Sequence, residues 1–153
     1  MSNIIKISDT KNGVLAFDLI DLLNLLPPGA QQINRSILDL SQFLENQDEL
    51  HVYGRQLLRI NEEAHNTPGG YKLSWQDLRL YAGAISQVAD GVFVGCKDFE
   101  ALSRLSFESA DDDIYAVSEI VLEAFDSSYW IVFSRDDEFL NRCRMTFQDV
   151  KDL

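Results

Sequence analysis

Two apolar runs separated by a short polar turn place the strongest constraint on the fold of this chain. The runs extend from Glu119 to Phe125 and from Tyr129 to Phe133, and Asp126-Ser127-Ser128 lies between them. β-branched and aromatic runs bounded by turn-forming residues are typical of strands, and two of them in succession predict an antiparallel hairpin. Residues 3–8 and the run from Val92 to Cys96 predict two further strands.

Helical patterns occupy much of the chain before this hairpin. Residues 14–26 form an apolar pattern that ends at Pro27-Pro28-Gly29, which cannot continue a helix. Residues 47–65 repeat apolar positions at helical spacing, and Ser74 with Asp77 has the spacing of a helix N-cap. Asp90-Gly91 is expected to turn the third helix, whose apolar face runs on to Val88, into the strand that ends at Cys96.

Several shorter segments are also expected to form helices or strands. Residues 36–44 fit either a strand or a helix face, because a short apolar run does not distinguish the two periods. Residues 98–105 predict a short helix with Phe99, Leu102 and Leu105 facing inward. Ser134 is expected to cap a last helix through Leu140, in which Glu138 and Arg142 are paired one turn apart, and an edge strand is expected near Val150.

The fold class that follows is α+β. We expect residues 1–153 to form a single acidic domain, with helices in the N-terminal two thirds packed on a mainly antiparallel sheet. A chain of 153 residues that is 46% hydrophobic is large enough to bury a core without disulfides or metals.

The charge of the chain limits its partners. The formal net charge is −12, and residues 98–153 contribute 14 acids against 5 bases. Nucleic acid and anionic membranes are therefore disfavoured as partners, because binding to them depends on Lys and Arg. The acidic excess has two readings: a solubilising surface, or a surface that steers a basic protein partner toward the chain.

The N-terminal segment and the cysteines indicate the cytoplasm. The first residues lack the basic region, apolar run and cleavage site of a signal peptide, and the apolar stretch from Val14 to Leu26 is too short and too charged to span a bilayer. Cys96 and Cys143 are expected to be free, buried thiols in a reducing compartment.

Motifs for catalysis, metals and cofactors give little support to an enzyme. Glu62 and His65 have Glu-x-x-His spacing, but a carboxylate di-iron site needs that motif twice. The chain has no Cys-x-x-Cys pair, nucleophile elbow or phosphate-binding loop. We therefore assign no catalytic residue, no metal and no cofactor.

Acidic residues of the C-terminal third are the candidates for partner binding. Asp111-Asp112-Asp113 fits three readings: a divalent-metal site, a solvated loop, or a recognition loop for basic residues. On the predicted hairpin, Trp130 is expected in the core and Tyr129 on the opposite side. The candidate surface joins acids that steer a partner to one aromatic anchor; its members are Asp111, Asp112, Asp113, Glu119, Glu123, Asp126 and Tyr129.

Segments covering about a quarter of the chain resemble immunity proteins of bacterial polymorphic and contact-dependent toxin systems. They are Leu73-Ser74-Trp75-Gln76-Asp77-Leu78 and Ile85 to Gly95, then Phe125 to Val132, Asp136-Asp137 and Phe147-Gln148-Asp149-Val150. The resemblance implies a small cytosolic protein that binds and blocks one cognate toxin. It assigns no toxin-binding residue.

Three functional hypotheses remain. The leading one is a non-enzymatic inhibitor whose acidic surface binds a basic toxin domain. A nuclease is an example, because it needs basic residues to bind the phosphates of its substrate. The second is a structural or adaptor module that forms homo-oligomers through the apolar 14–26 segment, and the expected state is monomer or weak homo-oligomer. The third is an enzyme with a carboxylate acid–base site, which requires a pocket that holds a strongly perturbed Asp or Glu.

Overall fold

The computed structural model describes residues 2–12, 14–45 and 50–153. Nine strands are found in these residues: β1 (Ile4–Ile7), β2 (Thr10–Lys11), β3 (Val14–Leu15), β4 (Asn34–Glu45), β5 (Tyr71–Leu73), β6 (Ile85–Cys96), β7 (Ile120–Phe125), β8 (Tyr129–Ser134) and β9 (Val150–Asp152). Seven of them form one antiparallel sheet in the order β5-β4-β6-β7-β8-β1-β9, and β2 pairs with β3. The strand β1 thus lies between β8 and β9.

Helices cover both faces of this sheet. Those in the described residues are α1 (Leu19–Leu23), α2 (Leu50–Asn66), α3 (Trp75–Ala84), α4 (Phe99–Ser103), α5 (Asp111–Val117) and α6 (Asp137–Thr146), with one 3₁₀ turn at Pro28–Gln32. The α+β class and the antiparallel sheet are confirmed. Residues 36–44, which fitted two periods, belong to the strand β4, which lies between β5 and β6.

Alternation along the paired parts of the strands separates two cores. A row of paired residues on one side, here the main face, runs across five strands: Ile37, Phe93, Leu122, Val132 and Ile5. The next row, on the second face, is Ser36, Val94, Val121, Phe133 and Ile4. Each row enters its own apolar cluster, so the sheet is buried on both sides over its centre.

The main face holds the larger core. Helices α1, α2, α3 and α6 pack on it through residues such as Leu22, Ile60, Leu78 and Phe139. Trp130 is 1% exposed there, with its ring 6.1 Å from that of Phe93. The prediction that Trp130 lies in the core is confirmed, and Cys96 and Cys143 are buried free thiols as expected.

The second face is covered by shorter elements. Leu102 of α4, Leu105 and Ile114 of α5 pack against strand residues of this face, and the Tyr115 ring stacks 4.8 Å from that of Phe133. Leu102 and Leu105 face inward as predicted. The inward orientation predicted for Phe99 is wrong: its side chain is 54% exposed because a helix of five residues buries only Leu102.

The hairpin and two local features of the helices agree with the sequence. Strands β7 and β8 pair over their whole length around the turn at residues 126–128. Ser74 Oγ accepts a hydrogen bond from the Asp77 amide at 3.1 Å, which caps α3. Arg142 Nη2 donates to Glu138 Oε1 at 2.8 Å within α6.

The helix predicted for residues 14–26 is much shorter than expected. It begins only after Asp18, whose amide donates to Asp21 Oδ2 at 2.8 Å, and it ends at Leu23. Residues 14 and 15 instead form β3. The helix buries Leu19, Leu22 and Leu23 in the protein's own core. Its apolar pattern therefore does not require an oligomer contact.

The turn predicted at Asp90-Gly91 is also wrong, because β6 continues without a break from Ile85 to Cys96. Several register shifts separate the paired parts of β4 and β6, and they absorb the irregular backbone there. Gly91 serves close packing: a Cβ on it would lie 2.9 Å from Val88 Cγ1. Val88 is buried as a strand residue and not on a helix face.

Boundaries of two other helices differ from the prediction. The cap of α6 is Asp136, whose Oδ1 accepts hydrogen bonds from the amides of Glu138 and Phe139, and Ser134 Oγ accepts from the Asp136 amide. The helix continues beyond Leu140 to Thr146. The predicted residues 47–49 of the second helix lie outside the described residues, and the remainder agrees with α2.

Candidate functional site

The three successive aspartates open helix α5. Asp111, Asp112 and Asp113 are exposed in its first turn, so they belong to a helix and not to the loop that two of the three readings assumed. Acids are favoured at this end of a helix because the backbone amides there carry partial positive charge. In the described part of the chain, no Lys or Arg pairs with any of these carboxylates. Their charge is therefore available to an external cation.

These aspartates belong to a longer acidic segment, which we call the α4–α5 cover and define as residues 98–118. It carries six acids and one base. It also presents three exposed apolar side chains, Phe99, Phe107 and Val117. Protein interfaces commonly combine aromatic anchors with a charged rim, and the cover has both.

Arg135 fixes the C-terminal end of α5. Its Nε donates to the Ser118 carbonyl at 2.9 Å, and its Nη2 donates to the carbonyls of Tyr115 and Ala116 at 3.1 and 3.2 Å. A cation at a helix C-terminus also interacts favourably with the helix dipole. One residue that directly follows β8 thus holds the short helix in position.

Glu123 lies beneath the cover and not on the surface. It is 4% exposed, and its Oε1 accepts a hydrogen bond from Tyr115 Oη at 3.2 Å. Burial, followed by the charge of Asp111, raises the pKa of Glu123 to about 7, although the bond from Tyr115 acts in the opposite direction. The same burial and nearby acids raise the pKa of Tyr115. Glu123 therefore does not contribute a full surface charge near neutral pH.

A second polar contact under the cover was not predicted. Asp39 of β4 and His65 at the end of α2 lie 2.9 Å apart, between Oδ1 and Nε2. The His65 ring stacks 3.8 Å from that of Phe107, which connects α2 to the cover. The partners are separated by 26 residues, so no local sequence signal relates them.

The remaining candidates lie at opposite ends of the β7–β8 hairpin. Glu119 precedes β7, and its carboxylate is 3.9 Å from Lys97 Nζ. Asp126 lies in the turn, about 20 Å away along six extended residues. Tyr129 is half-buried against Phe125, with Lys6 Nζ 4.2 Å from its ring centre. The predicted binding residues therefore fall into three groups. Three exposed aspartates lie on α5, Glu123 is buried, and the other residues lie at opposite ends of the β7–β8 hairpin.

A cleft lies at the Glu119 end of the sheet. Its volume is about 280 Å³. Its charged wall contains Lys97, Glu119, Arg135 and Asp136. Glu123 does not line it. Across the described ranges, no three His, Cys, Asp or Glu side chains converge on a point where a metal ion would fit.

Comparisons with known proteins add no assignment. No protein-family model matches the chain, and neither the curated proteins nor the solved structures give a significant match. Among the described helices, none has both the length and the apolar character needed to cross a membrane.

Proposed function

We propose that this protein is a non-enzymatic inhibitor of the immunity type, which binds a basic toxin domain through its α4–α5 cover. One observation carries the proposal. The exposed carboxylates of Asp111, Asp112 and Asp113 have no cationic partner in the described chain, and the same cover exposes the side chains of Phe99 and Phe107. A basic partner would neutralise the former and cover the latter.

Fixed presentation of the carboxylates supports this role. The hydrogen bonds from Arg135 to the end of α5 and the stacking of Tyr115 on Phe133 hold the helix against the sheet. A surface already held in its bound shape loses less conformational entropy on association. The net charge of −12 adds long-range attraction for a basic protein.

The resemblance to immunity proteins is consistent with the same role. The resembling segments include the start of α3, most of β6, and the turn and first four residues of β8, which are framework elements. The α4–α5 cover lies between these segments in the sequence. A shared framework with a separate charged surface is what an inhibitor specific for one partner requires.

A second candidate, an enzyme that uses a carboxylate as acid or base, is favoured by the buried Glu123 with its pKa near 7. The 280 Å³ cleft is built from other residues, so a substrate held there would not be next to Glu123. The variant Glu123→Gln separates the two functions. It would abolish acid–base catalysis by this residue and leave an inhibitor's binding to the exposed cover intact.

The proposal is tested by capture with matched charge variants. The tagged protein is exposed to lysate and secreted fraction of its source organism at about 0.05 M and about 0.5 M salt, where screening differs strongly. We expect one basic protein to be retained in a near-equimolar complex at low salt. The captured protein is then assayed for toxicity or nuclease activity with and without the inhibitor.

Two triple variants make the test specific. The first variant changes Asp111, Asp112 and Asp113 together to Asn. It should bind the basic partner more slowly, and the association rate should depend less on salt. Changing Asp77, Asp137 and Asp149 to Asn gives the same change in net charge at exposed positions away from the cover. Equal loss in both variants would show a general charge effect, and unchanged binding in the first would refute the role of the cover.

A further inference from the structure

The cleft at the Glu119 end of the sheet has an apolar floor. Leu26, Ile33, Ile120 and Phe139 form this floor, and Pro27 also lines the cleft. A narrower cavity of about 30 Å³ continues inward and shares Leu26, Ile33 and Ile120 with it. The floor therefore leads from the surface toward the main core, which favours an apolar group of limited size.

The rim of the cleft carries two cations and two anions. The backbone amide of Arg135 donates to the Glu119 carbonyl at 3.0 Å, which makes these residues neighbours across the strands. Asp136 follows directly in the chain, and Lys97 lies 3.9 Å from Glu119. The rim is thus neutral overall, in contrast to the strongly acidic chain around it.

Each of these four groups retains unused hydrogen-bonding capacity within the described structure. The separation of 3.9 Å between Lys97 Nζ and Glu119 Oε2 is too long for a hydrogen bond, and Lys97 is 76% exposed. Arg135 donates through Nε and Nη2 but not through Nη1. The hydrogen bonds that cap α6 use only Oδ1 of Asp136. The mouth of the cleft therefore offers hydrogen-bond donors to an anionic ligand group and hydrogen-bond acceptors to a cationic one.

The volume of the cleft limits the size of the ligand that it can hold. Pockets for drug-sized ligands measure roughly 300–1,000 Å³, and this cleft lies just below that range. It suits a compact molecule with one apolar group and a head that bears both charges. A purely anionic or purely cationic head would leave one pair of rim charges without a partner.

We propose that this cleft binds a free α-amino acid with an apolar side chain. The side chain enters over Leu26, Ile33 and Phe139, the ammonium group faces Glu119 and Asp136, and the carboxylate faces Lys97 and Arg135. The site adjoins the ends of the α4–α5 cover, because Lys97 and Glu119 flank that segment and Arg135 also bonds α5. Amino-acid binding there does not depend on the inhibitor function.

The test uses L-phenylalanine and L-leucine as probes, with two derivatives that each lack one charge. N-acetyl-L-phenylalanine lacks the ammonium group, and L-phenylalaninamide lacks the carboxylate. Binding is followed by amide NMR shifts of the full chain. We expect saturable shifts at Ile120 and Phe139 with the free amino acids, and at least about tenfold weaker binding of each derivative, since each loses a charge-assisted hydrogen bond.

Matched variants complete the test. Glu119→Gln and Lys97→Met should each weaken binding of L-phenylalanine at least about tenfold. Asp149→Asn and Lys151→Met, which change the same charges at exposed positions elsewhere, should bind as the unaltered protein does. The proposal is overturned if the free amino acids cause no saturable shifts, if the derivatives bind equally well, or if the rim variants match their controls.

Discussion

The two faces of the sheet differ in thickness of cover and in charge. The main face is packed under α1, α2, α3 and α6, whose residues total six acids and five bases. The second face is covered by residues 98–118, which carry six acids and one base on two short helices. The difference indicates that stability resides mainly on the main face, whereas the second face carries the charge that the proposed inhibitor role would use. The predictions below test this division.

Trp130→Ala should cause the largest loss of stability. The side chain is almost fully buried at the centre of the main face, and removal of a buried Trp side chain costs about 3–5 kcal/mol through lost burial and an unfilled cavity. Urea unfolding of the variant and the unaltered protein measures the difference. A loss below about 1 kcal/mol would contradict the assignment of the main face as the stabilising core.

Glu123→Gln should remove a pH dependence that arises on the second face. In the folded protein the pKa of Glu123 is raised to about 7 from a usual 4.5, so the folded state keeps a proton that the unfolded state releases. The resulting stabilisation is complete below pH 4.5 and is lost as pH rises through 7. The loss amounts to at most about 3 kcal/mol, since one pKa unit corresponds to about 1.4 kcal/mol.

The measurement is the free energy of unfolding between pH 5 and pH 8.5. Glutamine retains an acceptor for the Tyr115 hydroxyl but does not ionise, so the variant should lose less stability than the unaltered protein as the pH rises. Parallel pH profiles for the two proteins would show that the carboxyl of Glu123 is not perturbed. Asp126→Asn, at an exposed turn, is the control for a general effect of one acid.

Arg135→Met should loosen α5 more than it destabilises the whole protein. The change removes the donors to the carbonyls of Tyr115, Ala116 and Ser118. We expect a cost of about 1–2 kcal/mol, because Ser118 is buried and its carbonyl loses a partner, whereas water replaces the lost donors in part at Tyr115 and Ala116. Hydrogen exchange should accelerate in α5 and remain unchanged in α6. Equal acceleration in both helices would indicate that the two faces are not separate.

The triple change of Asp111, Asp112 and Asp113 to Asn should have the smallest effect on folding. Acids at a helix N-terminus each contribute about 0.3–1 kcal/mol, and the mutual repulsion of three adjacent carboxylates offsets part of this. We expect a net change within about 1 kcal/mol in urea unfolding. A larger loss would mean that the aspartates stabilise the fold and are not reserved for a partner.

Local sequence signals predicted local structure well. The hairpin around Asp126-Ser127-Ser128 and the cap at Ser74 depend on neighbouring residues, and the structure confirms both. Asp90-Gly91 has an equally local turn signal but lies inside β6, because pairing with both β4 and β7 outweighs the preference of two residues.

The candidate site was less accessible to sequence reasoning. Alternation along β7 places Glu123 on the same side as Val121, but the pattern does not reveal that Tyr115 and α5 cover that side. The contact between Asp39 and His65 joins distant segments, and the cleft arises where the ends of several strands meet the 28–32 turn. Such arrangements depend on tertiary packing, which single-sequence patterns do not encode.

The position of β1 has a consequence for the order of folding. Its residues pair with β8 on one side and with β9 on the other, so Ile5 faces both Val132 and Asp152. The strand β1 therefore has no sheet partner until β8, at residues 129–134, has been synthesised and has left the ribosome. Such long-range pairing slows folding relative to sheets made of local hairpins, and it leaves the apolar residues of β1 exposed to chaperones and to aggregation in the interval.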